Sequence, residues 1–183
     1  MIVGPTASGK TGLSVALAKK LRGEVISADS MQIYRGMDVG TAKVTPEEMD
    51  GVPHHMIDVA EPEEAFSAAR FVEMADPILQ DILARGKTAV IAGGTGLYVD
   101  ALIQGRAFAP HPGTGKRETL EREADSLGME HMLARLREID PDSAARLHLS
   151  DRKRILRALE VYEETGKTIT QHNLETRAVP PKI

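Results

Sequence analysis

Neither cysteine nor tryptophan occurs among these 183 residues, and phenylalanine and tyrosine occur three times each. The lack of cysteine excludes disulfides, thiolate catalysis and cysteine-ligated zinc. Long hydrophobic runs are missing too, so no segment is expected to cross a membrane, and no stretch has the charged-then-apolar layout of a signal peptide. These absences lead to the expectation of a cytoplasmic protein with no membrane partner. An excess of positive charge is also lacking: 23 Lys and Arg stand against 27 Asp and Glu, a formal net charge of −4. Non-specific affinity for nucleic acid comes from neutralising phosphates, so a nucleic-acid partner would have to meet a local basic patch. With 42% hydrophobic residues the chain can still bury a core. Its length suits one domain, or one domain with a small insert.

What the sequence does contain begins at residue 4. Gly4, Pro5, Thr6, Ala7, Ser8, Gly9, Lys10 and Thr11 spell G-x-x-x-x-G-K-T, directly after apolar Ile2 and Val3 and directly before a helical pattern. Glycines let successive backbone N–H groups turn inward around phosphates, Lys10 brings a point charge, and the Thr11 hydroxyl can ligate Mg²⁺. The following helix adds unpaired N–H groups and the positive end of its dipole.

Beyond this cradle, Leu13, Ala16, Leu17 and Leu21 are expected on the buried face of one helix, which Gly23 ends. Residues 24–28 read as a buried strand ending at Asp29. From Ser30 to Pro53 the sequence is irregular and rich in Gly, Thr and Lys, and connections of that length are usually functional. A short strand is expected from His55 to Val59. Adjacent His54 and His55 in a strand would point to opposite faces, which argues against shared metal ligation. A helix from Glu64 to Arg85 carries Ala68, Phe71, Val72, Ala75, Leu79, Ile82 and Leu83 at helical spacing, kinked at Pro77 and closed by Gly86. Residues 88–92 form the next strand, which runs into Gly93, Gly94, Thr95 and Gly96. This alternation predicts an α/β fold, a P-loop parallel sheet flanked by helices, whose ligands gather at the carboxyl ends of the strands. The cradle, Asp29 and Thr95 all lie at such ends.

The character changes after Gly105. Pro110, Pro112, Gly113 and Gly115 mark a linker, and the segments after it read as a small all-helical insert. One helix covers about 116–126. Another carries Met129, Met132, Leu133, Leu136 and Ile139, a stripe read as core. A third follows Asp140 and Pro141, and a fourth spans about 151–165, capped by Ser150 or Asp151 and ended by Gly166. The expected organisation is a core over 1–109, an insert over 110–170, and a linker over 171–183 that begins a further part of the core. Arg146, Arg152, Lys153, Arg154 and Arg157 crowd one region with Asp151 opposing them, and Arg117 lies in another helix. These are candidate phosphate contacts.

The cradle alone points to ATP or GTP and to a small-molecule kinase. Such enzymes place a Mg²⁺-organising Asp at the end of an apolar strand, and Asp29 is the match, whereas the later strand ends without an acid. Beyond the cradle, however, SADSMQIY (27–34), RGMDVGTAK (35–43), PHHMID (53–58), GGTGLY (93–98) and RILRALEV (154–161) with a following TGKT resemble, in order, the tRNA dimethylallyltransferases.

The resemblance implies an enzyme that moves a five-carbon prenyl group from dimethylallyl diphosphate to N6 of the adenosine just 3′ of the tRNA anticodon, releasing diphosphate. On this likeness Gly4 to Thr11 hold the diphosphate with Mg²⁺ on Thr11. Asp29 and Thr95 are catalytic, Asp29 taking the proton of a poorly nucleophilic amine. Asp29, Ser30, Met31 and Gln32 receive the target base, which must leave its stack. Arg117 matches a family position that touches the tRNA, and the basic cluster with Arg152, Lys153, Arg154 and Arg157 is expected, from its local charge, to join it on the anticodon stem-loop. Family members continue past Gly166 through another strand and several helices, so a truncated, monomeric member is expected. The alternatives left open are a P-loop kinase using ATP and an inactive tRNA-binding fragment.

Overall fold

The computed structural model describes residues 1–105 and 114–177, and the chain divides near residue 106 into two compact units. The linker expected around Pro110, Pro112 and Gly113 lies outside the described residues.

In the first unit four parallel strands, β1 (Ile2–Val3), β2 (Glu24–Ser27), β3 (His54–His55) and β4 (Ala89–Gly93), form one sheet in the order β1-β4-β2-β3. Val25 pairs with both His54 and Val90, and Ile2 pairs with Ala92. β2 is buried at all four positions, as a parallel strand covered on both faces must be. Helix α1 (Lys10–Leu21) packs Val15 and Ala18 against Val25, Val90 and Ala92. Ile26 and Ile91 alternate with those residues and face the other side, where α3 (Ala68–Ala84) and α4 (Gly96–Gln104) pack and Phe71 stacks on Tyr98 at 4.4 Å. The α/β sheet with flanking helices is the fold the sequence predicted.

Local details differ. In α1 the buried residues are Ser14, Val15 and Ala18, while Leu13 and Leu21 are exposed. Small side chains at 14 and 18 let the helix approach the sheet, which outweighs the leucine spacing. The strand expected from His55 to Val59 is shorter because Met56 and Asp58 turn left-handed, at φ 63° and 55°. The connection read as irregular contains α2 (Pro46–Met49), whose first turn is closed by a capping box between Thr45 and Glu48. Ser67 caps α3, so that helix begins after the predicted Glu64.

At the start of β2 the buried Glu24 carboxylate accepts from Arg85 at 2.5 and 3.0 Å, Lys87 at 2.8 Å and His55 Nε2 at 2.8 Å. The Arg85 hydrogen bonds, then those of Lys87, hold its pKa far below the ordinary carboxylate range despite burial.

In the second unit every element among the described residues is a helix. α5 (Lys116–Ile139) is broken at Gly128, φ 83° and ψ 161°, into the two helices the sequence anticipated. It is followed by α6 (Pro141–Ala144), α7 (Arg152–Thr165) and α8 (Ile169–Arg177). Leu120, Met132, Leu133, Leu136, Ile155, Leu156 and Leu159 form its core, so the methionine stripe is interior. A boundary at 170 falls inside α8, because Asp140 accepts from both the Thr170 amide (3.0 Å) and hydroxyl (2.7 Å) and ties that helix to α6.

Candidate active site

β1 delivers the chain to the cradle, and two backbone features shape it. Gly9, the residue before α1, sits at φ 78°, which a side chain disfavours. No side chain caps α1, so its first N–H groups remain directed into the loop. Ser8 Oγ donates to the Pro5 carbonyl at 2.8 Å, and Lys10 Nζ donates to that same carbonyl and lies 3.4 Å from Ser8 Oγ.

β2 and β4 deliver the other two groups. Ala28 N–H donates to Ala92 O at 2.8 Å, and a Cβ at Gly93 would stand 2.1 Å from Ala28 O, so only glycine permits this close approach. The Thr95 amide donates to Ala28 O (3.1 Å) and the Thr95 hydroxyl accepts from the Ser30 amide (2.9 Å). Thr95 thereby fixes the turn in which Asp29 sits. Asp29 Oδ1 accepts from the Met31 amide at 2.9 Å and the Gln32 amide at 3.4 Å. No hydrogen bond to Oδ2 occurs among the described residues.

A cleft of about 260 Å³ joins these parts. The cradle from Thr6 to Thr11, Asp29 and Gln32 line it together, with Ser27, Thr41, Ala42, Glu48 and His54. Thr95, Ser30 and Met31 are not among its lining residues; they set the turn behind it. Mg²⁺ takes hard oxygen donors and keeps much of its water, relying on substrate phosphates. The Thr11 hydroxyl and Asp29 carboxylate, both on the cleft wall, fit that donor set, and no protein-only cluster of three or more His, Asp or Glu exists among the described residues to act as a cage.

Some site residues were not legible in the sequence. His54 and His55 do face opposite ways: His55 reaches Glu24, while His54 lines the cleft, its Nδ1–H donating to Val52 O at 2.8 Å and its buried Nε2 without a hydrogen-bond partner among the described residues. Lys43 closes the RGMDVGTAK stretch of the loop expected to be functional as a whole, and nothing in the sequence gives it a role of its own. Its side chain is 6% exposed and its Nζ donates to Tyr34 O (2.7 Å), Asp38 Oδ1 (2.6 Å) and Asp58 Oδ1 (2.5 Å). Burial presses the ammonium toward neutrality, but the two carboxylates outweigh it and raise its pKa above the ordinary lysine value.

The basic candidates of the second unit are more heavily opposed than the sequence implied. Arg117 donates to Glu121 at 2.8 Å and lies 3.7 Å from buried Glu160, which Arg157 also meets at 3.0 Å. Arg152 meets Asp125 at 2.7 Å. Glu121 and Glu160 lie one turn from Arg117 and Arg157 on their own helices, a spacing the sequence shows, whereas Asp125 reaches Arg152, and Glu160 reaches Arg117, from another helix, which one stretch of chain could not reveal. Arg154 is 76% exposed and only 3.9 Å from Asp151, and Lys153 is exposed with no ion pair among the described residues.

Comparison with known proteins adds an independent finding. The family model described as IPP transferase matches residues 32–182. The chain is 53% identical over 171 residues to the tRNA dimethylallyltransferase of Symbiobacterium thermophilum, covering 93% of this chain and 54% of that protein. It is 48% identical over 183 residues to that of Acetivibrio thermocellus, covering 100% and 58%. Among solved structures, a eukaryotic dimethylallyltransferase acting on tRNA superposes with a TM-score of 0.84 at 32% identity, covering 100% of this chain and 45% of the other. The tRNA isopentenylpyrophosphate transferase of Bacillus halodurans gives a TM-score of 0.58 at 50% identity, covering 91% and 55%. The chain thus spans little more than half the length of the curated relatives it matches.

Proposed function

Because this chain belongs to the IPP transferase family, we propose that its cleft is the diphosphate and reaction site of a tRNA prenyltransferase. The cradle holds the diphosphate of dimethylallyl diphosphate, and the adenosine 3′ of the anticodon enters toward Asp29. The N6 lone pair attacks the first prenyl carbon as the carbon–oxygen bond to diphosphate breaks, and Asp29 accepts the N6 proton. The amine is a poor nucleophile because its lone pair is shared with the ring, so a positioned carboxylate lowers the barrier. Lys10 and the uncapped amides of α1 oppose the charge growing on the leaving group. Mg²⁺, held by Thr11 and the phosphates, would supply further positive charge there.

The observation that carries this reading is the state of Asp29. One carboxylate oxygen is tied down by the Met31 amide, the other has no protein partner among the described residues, and the residue shares one cleft with the phosphate cradle. Thr95 acts by holding the Asp29 turn through Ser30. Among Arg117, Arg152, Lys153, Arg154 and Arg157, Lys153 and Arg154 have the least internal neutralisation within the described residues and are the candidates for meeting the anticodon stem-loop, and a monomer in the cytoplasm suffices for the reaction.

The test is transfer of label from dimethylallyl diphosphate to an unmodified anticodon stem-loop, by this chain and by one extended to the length of its relatives, with ATP hydrolysis measured alongside. Transfer by the extended chain without ATP turnover is expected. ATP turnover without transfer would replace this reading with a kinase.

A further inference from the structure

Gln32 is held at four atoms. Its amide donates to Asp29 Oδ1 (3.4 Å), its carbonyl accepts from the Asp58 amide (3.2 Å), its Nε2 donates to Ala42 O (3.1 Å), and its Oε1 accepts from Ser27 Oγ (3.3 Å). Two of these four partners, Asp58 and Ala42, belong to segments that meet at one side chain. Lys43, adjacent to Ala42, reaches Asp58 and Asp38 with charged hydrogen bonds and caps the Tyr34 carbonyl two residues beyond Gln32. The loop it gathers has little secondary structure of its own to hold it, and Ala42 and Asp58 both adopt left-handed backbone, φ 47° and 55°. Such conformations persist only where surrounding contacts over-determine them.

We propose that Lys43 is a positioning residue for the reaction: it braces the 34–43 and 56–60 segments around Gln32, and through Gln32 it fixes the turn that aims the unpartnered oxygen of Asp29 into the cleft. Lys43 does not line that cleft, whereas Gln32, Asp29 and Ala42 do. A neutral side chain of similar length would fill the space but leave Asp38 and Asp58 repelling one another, and the loop carrying the Ala42 carbonyl would be released. The raised pKa of Lys43 agrees with this, since it keeps the brace charged across the working pH range.

This inference rests on the reading of Asp29 as the proton acceptor, so it is tested with two independent readouts. The first is amide hydrogen exchange on this chain, which needs no activity. In Lys43→Met, exchange of the Met31 and Gln32 amides is expected to speed up about tenfold or more, as local opening uncouples from the global stability of the sheet, while Val25 and Ala28 in and beside β2 keep their protection. Asp58→Asn, which leaves the amide donated to Gln32 intact, should give the same pattern more weakly, and it serves if the methionine variant does not fold. Unchanged Met31 and Gln32 exchange, or equal acceleration at all four amides, overturns the brace. The second readout is prenyl transfer by the extended chain. Lys43→Met is expected to lower kcat about ten- to hundredfold, the cost of a misplaced catalytic group, with diphosphate affinity within about twofold of the parent. In a Gln32→Met background the same substitution should add less than about twofold, since coupled residues are not additive. Full additivity would overturn the route through Gln32. Absence of transfer in the unsubstituted extended chain would instead sink the prenyltransferase reading while the exchange result still decided the brace.

Discussion

Two carboxylates five residues apart, at the two ends of β2, behave as opposites. Glu24, at the entry to β2, is buried and takes hydrogen bonds from Arg85, Lys87 and His55. Asp29, just past the exit, has one oxygen tied to the turn and one without a hydrogen bond among the described residues. The histidines of β3 differ as well, by face of the strand rather than by end: His55 is bonded to Glu24, while His54 lines the cleft with its Nε2 without a partner among the described residues. For the carboxylates a parallel sheet supplies the reason: helices and their loops return to the amino ends of the strands and bring cations there, whereas the carboxyl ends open onto loops where ligands of such sheets gather. The charge that the fold satisfies at one end serves stability, and the one it leaves available at the other is the group to which the proposed reaction assigns the proton.

The contrast is broken most directly at Asp29. Asp29→Asn keeps the turn's acceptor oxygen but cannot take a proton, so prenyl transfer by the extended chain should fall about 10²–10⁴-fold, roughly 3–5 kcal/mol at the transition state. Diphosphate affinity should hardly move. A single-turnover assay beside calorimetry checks both, and near-parental transfer would send the search for the base elsewhere in the turn.

Glu24→Gln attacks the opposite end and should leave chemistry alone while lowering stability. Removing one partner of a fully buried pair costs about 3–5 kcal/mol. Arg85 and Lys87 are 38% and 43% exposed, so solvent recovers part of that and about 2–3 kcal/mol is expected. The sign of the pH effect follows from the depressed pKa. The contribution of Glu24 is fully present above the ordinary carboxylate range and is lost as pH falls toward its lowered folded value. Denaturant titrations of parent and variant should therefore differ at pH 7 and converge in strong acid. A gap that persisted undiminished at pH 2 would show that shape, not charge, holds this corner.

Lys10→Ala sharpens the comparison from the cradle side. Loss of one charge-assisted contact should weaken diphosphate binding by roughly 1.5–3 kcal/mol, read by calorimetry, without the stability loss of Glu24→Gln. The smallest effects are expected in the helical unit. Lys153→Ala and Arg154→Ala should each reduce the salt-dependence slope of stem-loop binding by about one, whereas Arg152→Ala, already opposed by Asp125, should change it less. Equal slopes for all three would place the RNA contact elsewhere.

Much of this site was legible in advance because it follows from short-range chemistry. G-x-x-x-x-G-K-T after an apolar stub requires the backbone turn observed at Gly9, and an acid directly after a buried strand lies at the ligand end of any parallel sheet. Alternation of apolar strands and amphipathic helices likewise settled the α/β class. Where the reading went astray, the deciding interactions were distant in sequence. Leucine spacing indicated the wrong face of α1, since burial is set by which side chains let the helix approach the sheet. The basic run near Arg152, opposed in the sequence by Asp151, also meets Asp125, 27 residues away, at Arg152; the Arg157–Glu160 pair, three residues apart on α7, was by contrast within reach of helical spacing.

The sequence by itself therefore determined the cradle, the class of fold and the placing of Asp29, each a consequence of local backbone geometry and periodic burial. Only the tertiary structure decided which charges are neutralised: that Glu24 is saturated and Asp29 is not, that Lys43 gathers two aspartates 20 residues apart in sequence, and that His54 rather than His55 faces the cleft. The reason is physical. A hydrogen bond or ion pair depends on atoms within a few ångströms, and the chain positions that supply those atoms become neighbours only when the strands and loops are assembled.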